Sequence, residues 1–246
     1  MKTVLEVVAG STAHGTSVTD GLEDLDLMRV VLEDKYNFVG FKAKDTWVQR
    51  TKPEGVRSEA GDTDLVVYGL RKYLGLALKG NPSALMPLFA GQDHIREISA
   101  EGHELRQLAP AIVSKKAYMP FKGYMKQQYE RLLGVRGQKR VTRPELVERH
   151  GYDTKYAGHI IRLGMQGEEL LLTGVMTLPM KQPDRDEIVK VRLGHYQLND
   201  VCNMVEAYDK RLTEAYEKSP LQEEPRYDTV NQWMVDTYIR EWTSDS

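Results

Sequence analysis

Residues 4–31 read VLEVVAGSTAHGTSVTDGLEDLDLMRVV, and the order of residue types in this stretch decides the fold. Val4, Leu5, Val7 and Val8 form a short apolar run suited to a buried strand. Gly10-Ser11 breaks the run with a residue free to take positive φ and a hydroxyl able to cap a helix. Residues 13–18 are long enough for a short helix. From 22 to 31 the pattern alternates, so Leu25 and Leu27 face one side of a second strand while Asp24 and Asp26 share the other. Two carboxylates that close raise each other's pKa unless a cation lies between them. Mg²⁺ is the usual cation for an all-oxygen site and takes further ligands from substrate phosphates. Gly10 and Ser11 supply the complementary half, backbone N–H groups and a hydroxyl at a helix N-terminus where a phosphate is stabilised.

Composition bounds the rest. The chain has 246 residues, 41% of them hydrophobic, enough for one large domain or a catalytic domain with a smaller helical companion. No apolar run is long enough to span a membrane, and the N-terminal apolar stretch is too short for a secretory signal. The single cysteine, Cys202, rules out an internal disulfide and fits a reducing, cytoplasmic setting. A net charge of −2 gives no global attraction to polyanions, so any such contact is local.

Beyond the opening stretch, residues 36–47 have the aromatic and β-branched content of a strand or hairpin, and 51–62 read as an exposed loop. Residues 63–68 form an apolar strand with Asp64 at its start, and Asp62 lies just before it at the end of the loop. Leu70, Tyr73, Leu74, Ala77 and Leu78 then recur at helical spacing, and Asn81-Pro82 opens the next helix. Residues 93–110 carry no clear pattern; His94 and His103 lack a metal-ligand spacing and read as surface or locally bonded. A mainly helical region begins near residue 111, the expected division being 1–110 and 111–246. Within it, 113–133 reads as a helix interrupted at Pro120, with a core-forming stripe of aromatics and methionines. Arg136, Lys139, Arg140 and Arg143 form a basic linker-like stretch. Lys155, His159 and Arg162 fall at i, i+4 and i+7 and so on one helical face, a preorganised set of donors for phosphate. Helices are also expected over 199–216 and 233–242.

Four blocks, GSTAHGT with EDLDLMRVV, DTDLVVYGLRKYLGLALKGNPSALMPLF, GYMKQQYERL and YDTKYAGHIIRL, resemble a family of predicted nucleotidyltransferases within the DNA polymerase β-like superfamily. The resemblance implies an α+β fold: a small mixed β-sheet flanked by helices, followed by the helical C-terminal region. It implies Asp24, Asp26 and Asp64 as catalytic, metal-holding carboxylates for two Mg²⁺ ions, with Mn²⁺ as a substitute. Gly10, Ser11, Lys72, Lys155, His159 and Arg162 become candidates for gripping a nucleoside triphosphate such as ATP, and Arg192 has the same family likeness. On residues alone Lys72 also fits a solvated face. The expected activity is transfer of an NMP to an acceptor with pyrophosphate release. RNA or tRNA ends are among the acceptors, in keeping with RNA repair, and base preference and oligomeric state are not legible. Two other readings use the same residues, a non-catalytic RNA- or partner-binding module and a metal-dependent phosphohydrolase.

Overall fold

The computed structural model describes residues 1–18, 24–41, 43–53, 61–135 and 143–244. The apolar run at the N-terminus forms β1 (Lys2–Val8), in which Val4, Leu5 and Val7 are fully buried. A five-residue helix, α1 (Gly10–His14), leads away from it, and the Asp-x-Asp strand returns antiparallel as β2 (Leu25–Leu32). The helix starts at Gly10 and is capped after His14 by Gly15, earlier than the 13–18 span expected from sequence, because Gly15 takes positive φ and stops it.

The stretch 36–47 is not a strand or hairpin throughout. It divides into α2 (Lys35–Val39) and an edge strand, β3 (Thr46–Arg50). Asp34 accounts for the difference: its carboxylate accepts hydrogen bonds from the Asn37 backbone N–H at 2.9 Å and the Asn37 side chain at 2.7 Å. That cap outweighs the local β propensity of Tyr36, Phe38 and Val39.

The strand carrying Asp64, β4 (Thr63–Gly69), runs parallel to β2 and antiparallel to β3. With β5 (Ile95–Ile98), which lies within the stretch that sequence left unplaced, the mixed sheet has the order β3-β4-β2-β1-β5. One face carries Met28, Val30 and Leu32 into the main core; the other holds a small cluster of Val31, Leu65 and Val67 beside Leu27 and Trp47.

Helices α3 (Leu70–Ala77), α4 (Pro82–Phe89), α5 (Ala100–Gln107) and α6 (Ala109–Ile112) flank the sheet. Then α7 (Tyr118–Leu132) opens later than expected, and Pro120 falls in its first turn, where a missing N–H leaves no hydrogen bond unmade. After α8 (Pro144–His150), the 20-residue α9 (Thr154–Thr173) packs against α7, α10 (Asp184–Arg192) and α11 (Leu198–Lys218). The last helix, α12 (Tyr227–Ser244), returns to the sheet region. Buried apolar residues from Val4 to Tyr238 form one contiguous cluster. Cys202 is a half-buried residue of α11. Among the described residues no helix is long and apolar enough to cross a membrane.

Candidate active site

The three carboxylates named from sequence come together. Asp26 and Asp64 are register partners on the parallel strands β2 and β4, and Asp24 lies two residues before Asp26, hence on the same face. One oxygen from each lies within 4.8 Å of the others. Asp62 instead lies 3.8 Å from Lys52, and its carbonyl receives the Leu25 N–H at 2.8 Å, which fixes the approach to β2.

Gly10 is explained by Asp26. A Cβ at Gly10 would lie 2.2 Å from Asp26 Oδ2, and φ is +62°, so only glycine lets the carboxylate rest against the turn. The same turn is tied to β2 by the Ala9 N–H, which donates to the Asp26 carbonyl at 2.8 Å.

Beside this cluster lies a cavity of about 370 Å³ lined by Gly10, Ser11 and Asp26 on one side of the chain, and by Lys155, His159, Arg162 and Arg192 on the other. Lys155, His159 and Arg162 share one face of α9, as their spacing predicts. Asp153 caps that helix, accepting from the Lys155 and Tyr156 amides at 3.0 and 3.1 Å. Arg192 passes from α10 over Gly158, where a Cβ would lie 2.6 Å from its Cγ, and its guanidinium donates to the Thr16 carbonyl.

Sequence reasoning passed over His14 and Gln166. Arg162 Nη1 donates to His14 Nε2 at 2.5 Å and to Gln166 Oε1 at 2.9 Å, and the Gln166 amide lies 3.0 Å from His14 Nδ1. Gln166 lies at i+4 from Arg162 on the same helix face, the one signal that would have added it; nothing local pairs His14 with residues about 150 positions away. Burial, with Arg162, His159 and His94 adding to it, drives the His14 pKa well below the usual imidazole value. His159 is lowered to about 3 by burial and then by Arg162, Lys155 and Arg131. Arg162 falls to about 10 through burial and the nearby Arg192 and remains a cation at neutral pH. The imidazoles are thus neutral, and the positive charge at the cavity belongs to Lys155, Arg162 and Arg192.

Lys72 is not brought to this cavity. On α3 the buried positions are Leu70, Tyr73, Leu74 and Ala77, which leaves Lys72 on the opposite face, 3.6 Å from Asp45. Of the basic stretch, Arg143 pairs with Asp153 at 3.2 Å, whereas Arg136, Lys139 and Arg140 lie outside the described residues, as does Glu23.

No curated protein matches the chain. Among solved structures, a nucleotidyltransferase-like protein from Exiguobacterium sibiricum 255-15 aligns over 88% of this chain and 69% of its own, at 10% identity and a TM-score of 0.30. The profile of the family described as RlaP, RNA repair pathway DNA polymerase beta family, matches residues 1–236. With that match spanning nearly the whole chain, from the Gly-Ser turn through all three carboxylates to the cationic face of α9, the chain belongs to the RNA repair pathway DNA polymerase beta family.

Proposed function

We propose that this chain is a Mg²⁺-dependent nucleotidyltransferase that moves an NMP from a nucleoside triphosphate to a hydroxyl of an acceptor, an RNA end being the acceptor the family points to, and that it works in the cytoplasm. The observation that carries this reading is the placement of Asp24, Asp26 and Asp64 beside a cavity whose far wall bears three cations. The donor set fits a hard divalent cation: three carboxylates with oxygens inside 4.8 Å, on one sheet face, and a glycine that leaves room for them. Mg²⁺ or Mn²⁺ held there would neutralise phosphate charge and lower the pKa of an attacking hydroxyl.

The chain's own residues divide the remaining work. Lys155, Arg162 and Arg192 donate to phosphate oxygens from rigid helices, so the triphosphate is held in one orientation. Arg162 is aimed by His14 and Gln166 through Nη1, which leaves Nε and Nη2 for the substrate. Gly10 and Ser11 add donors at the β- and γ-phosphates. The acceptor hydroxyl gives up its proton to water, its oxygen forms a bond to the α-phosphorus as the bond to the α–β bridging oxygen breaks, and pyrophosphate departs. No protein nucleophile is required, because positioning and charge neutralisation carry this kind of transfer.

The test is incubation with each α-³²P-labelled NTP, Mg²⁺ and cellular RNA, beside the Asp24→Ala/Asp26→Ala double variant. Label on RNA with pyrophosphate release is expected, and the folded double variant should lose about a hundredfold or more. Equal labelling by that variant would overturn the role of the carboxylates. Release of phosphate with no labelled acceptor would favour hydrolysis over transfer.

A further inference from the structure

The block GYMKQQYERL, residues 123–132, has no task in the reaction outlined above, yet it sends two side chains to the same cavity. On α7, Phe121 and Met125 enter the core, whereas Tyr124 and Gln128, four residues apart and so on one helical face, line the cavity with Ser83 and Met86 of α4. Tyr124 is held in place: its hydroxyl accepts from Asn81 Nδ2 at 3.1 Å, and Asn81 Oδ1 caps α4 by accepting from the Ser83 and Ala84 amides. Gln128 Oε1 is buried and makes no hydrogen bond among the described residues. A buried carbonyl oxygen in that condition is costly until a donor reaches it.

The lining is also divided by chemistry. The charged groups come from β2, α9 and α10, while the side chains that α4 and α7 contribute, among them Ser83, Met86, Tyr124 and Gln128, are all uncharged. A nucleotide is divided in the same way, charged at the phosphates and neutral, flat and polar-edged at the base.

We infer that the Tyr124–Gln128 face of α7 is the nucleobase subsite, with Gln128 Oε1 accepting a hydrogen bond from the exocyclic amine of adenine or cytosine and Tyr124 packing against the base. The inference rests on the nucleoside triphosphate reading and adds to it a preference for amino-bearing bases. A carboxamide suits such an edge because its oxygen takes the amine proton while its NH₂ can serve the adjacent ring nitrogen. Aromatic packing adds affinity without selecting the base.

ATP with ITP, and CTP with UTP, are pairs in which an exocyclic amine is exchanged for a carbonyl oxygen. Each is competed against a fluorescent ribose-labelled nucleotide on the full-length protein, so that binding is read without turnover. For the wild type, the amino member of at least one pair should bind about tenfold more tightly than its partner. Gln128→Leu should bring that ratio close to one. Gln128→Glu, which keeps an acceptor oxygen, should retain a ratio above one even with weaker overall binding. Because the readout is a ratio within one preparation, partial misfolding does not imitate it. A wild type that binds both members of both pairs equally, or a Gln128→Leu protein that keeps the preference, overturns the inference and leaves the nucleotidyltransferase reading standing. A wild type that binds none of the four overturns both.

Discussion

His14 and His159 show how single residues set the charge of the cavity. Both imidazoles are neutral in the native protein because burial and neighbouring cations oppose protonation, with His159 lowered to about 3. In the unfolded chain they protonate near the ordinary value of 6.5. Below about pH 6.5 the unfolded state therefore binds protons that the native state does not, and stability falls as pH falls; for His159 the loss continues down to about pH 3. Each imidazole contributes at most about 1.4 kcal/mol per pH unit in that window. Urea unfolding at pH 7.5, 6.5 and 5.5 should show the midpoint holding at the upper two values and dropping at the lowest. His159→Gln should make the drop shallower, and a wild-type midpoint unchanged at pH 5.5 would contradict the assignment. At this scale the sequence was informative wherever a residue's neighbours are local. Asp24 with Asp26, and Lys155 with His159 and Arg162, follow from strand and helix periods. The contact of His14 with Arg162 follows only from tertiary packing, and so does the place of Lys72, which is near the carboxylate strand in sequence yet lies 3.6 Å from Asp45 and outside the cavity lining.

Helix α9 shows the same contrast one level up. Its cationic face was legible from the period, and its start was marked by Asp153, whose carboxylate does two things. One oxygen accepts from the Lys155 and Tyr156 amides, and the other receives Arg143, whose guanidinium also lies 5.5 Å from the Tyr156 ring. Asp153→Ala removes the cap and leaves Arg143 without its carboxylate, so a loss of about 2 kcal/mol is expected by chemical denaturation. Asp153→Asn keeps the amide-accepting oxygen and should fall between the two. Wild-type stability in Asp153→Ala would show that the helix start is held by other means. Elements decided by caps were harder to read than those decided by apolar period. A strand reading of 36–47 follows its aromatic and β-branched content, yet Asp34 three residues before Asn37 turned its first half into α2. The pairing of β2 with β4 in parallel, which sets Asp26 opposite Asp64, depends on the intervening chain crossing over. No local pattern encodes that.

Across the whole molecule, the last helix completes a core begun by the first strand. Tyr238 and Trp242 of α12 meet Phe38 of α2 with ring centroids 4.7 and 5.2 Å away. The Tyr238 hydroxyl donates to Glu33, a carboxylate 2% exposed at the end of β2, and the Trp242 indole N–H donates to the Glu33 carbonyl at 3.0 Å. Farther along, the Trp233 indole N–H donates to Glu104 of α5 at 2.7 Å. Without α12, the Glu33 carboxylate would keep, among the described residues, the Leu70 N–H at 3.1 Å, and the Phe38 ring would lose the Tyr238 and Trp242 rings that cover it. Removal of a partner from a buried charge and of several aromatic contacts together is worth several kcal/mol, a large part of a domain's stability. A chain ended at residue 226 keeps all three carboxylates and the whole of α9, so it separates the contribution of α12 from the chemistry of the cavity. It is expected to lose cooperative thermal unfolding and to bind a dye that reports exposed apolar surface. Tyr238→Phe, which removes one hydroxyl and spares the rings, should lower the unfolding free energy by about 1–3 kcal/mol and remain cooperative. If the shortened chain melts as cooperatively and at the same temperature as the full one, α12 is an appendage. The sheet would then owe its stability to residues before it.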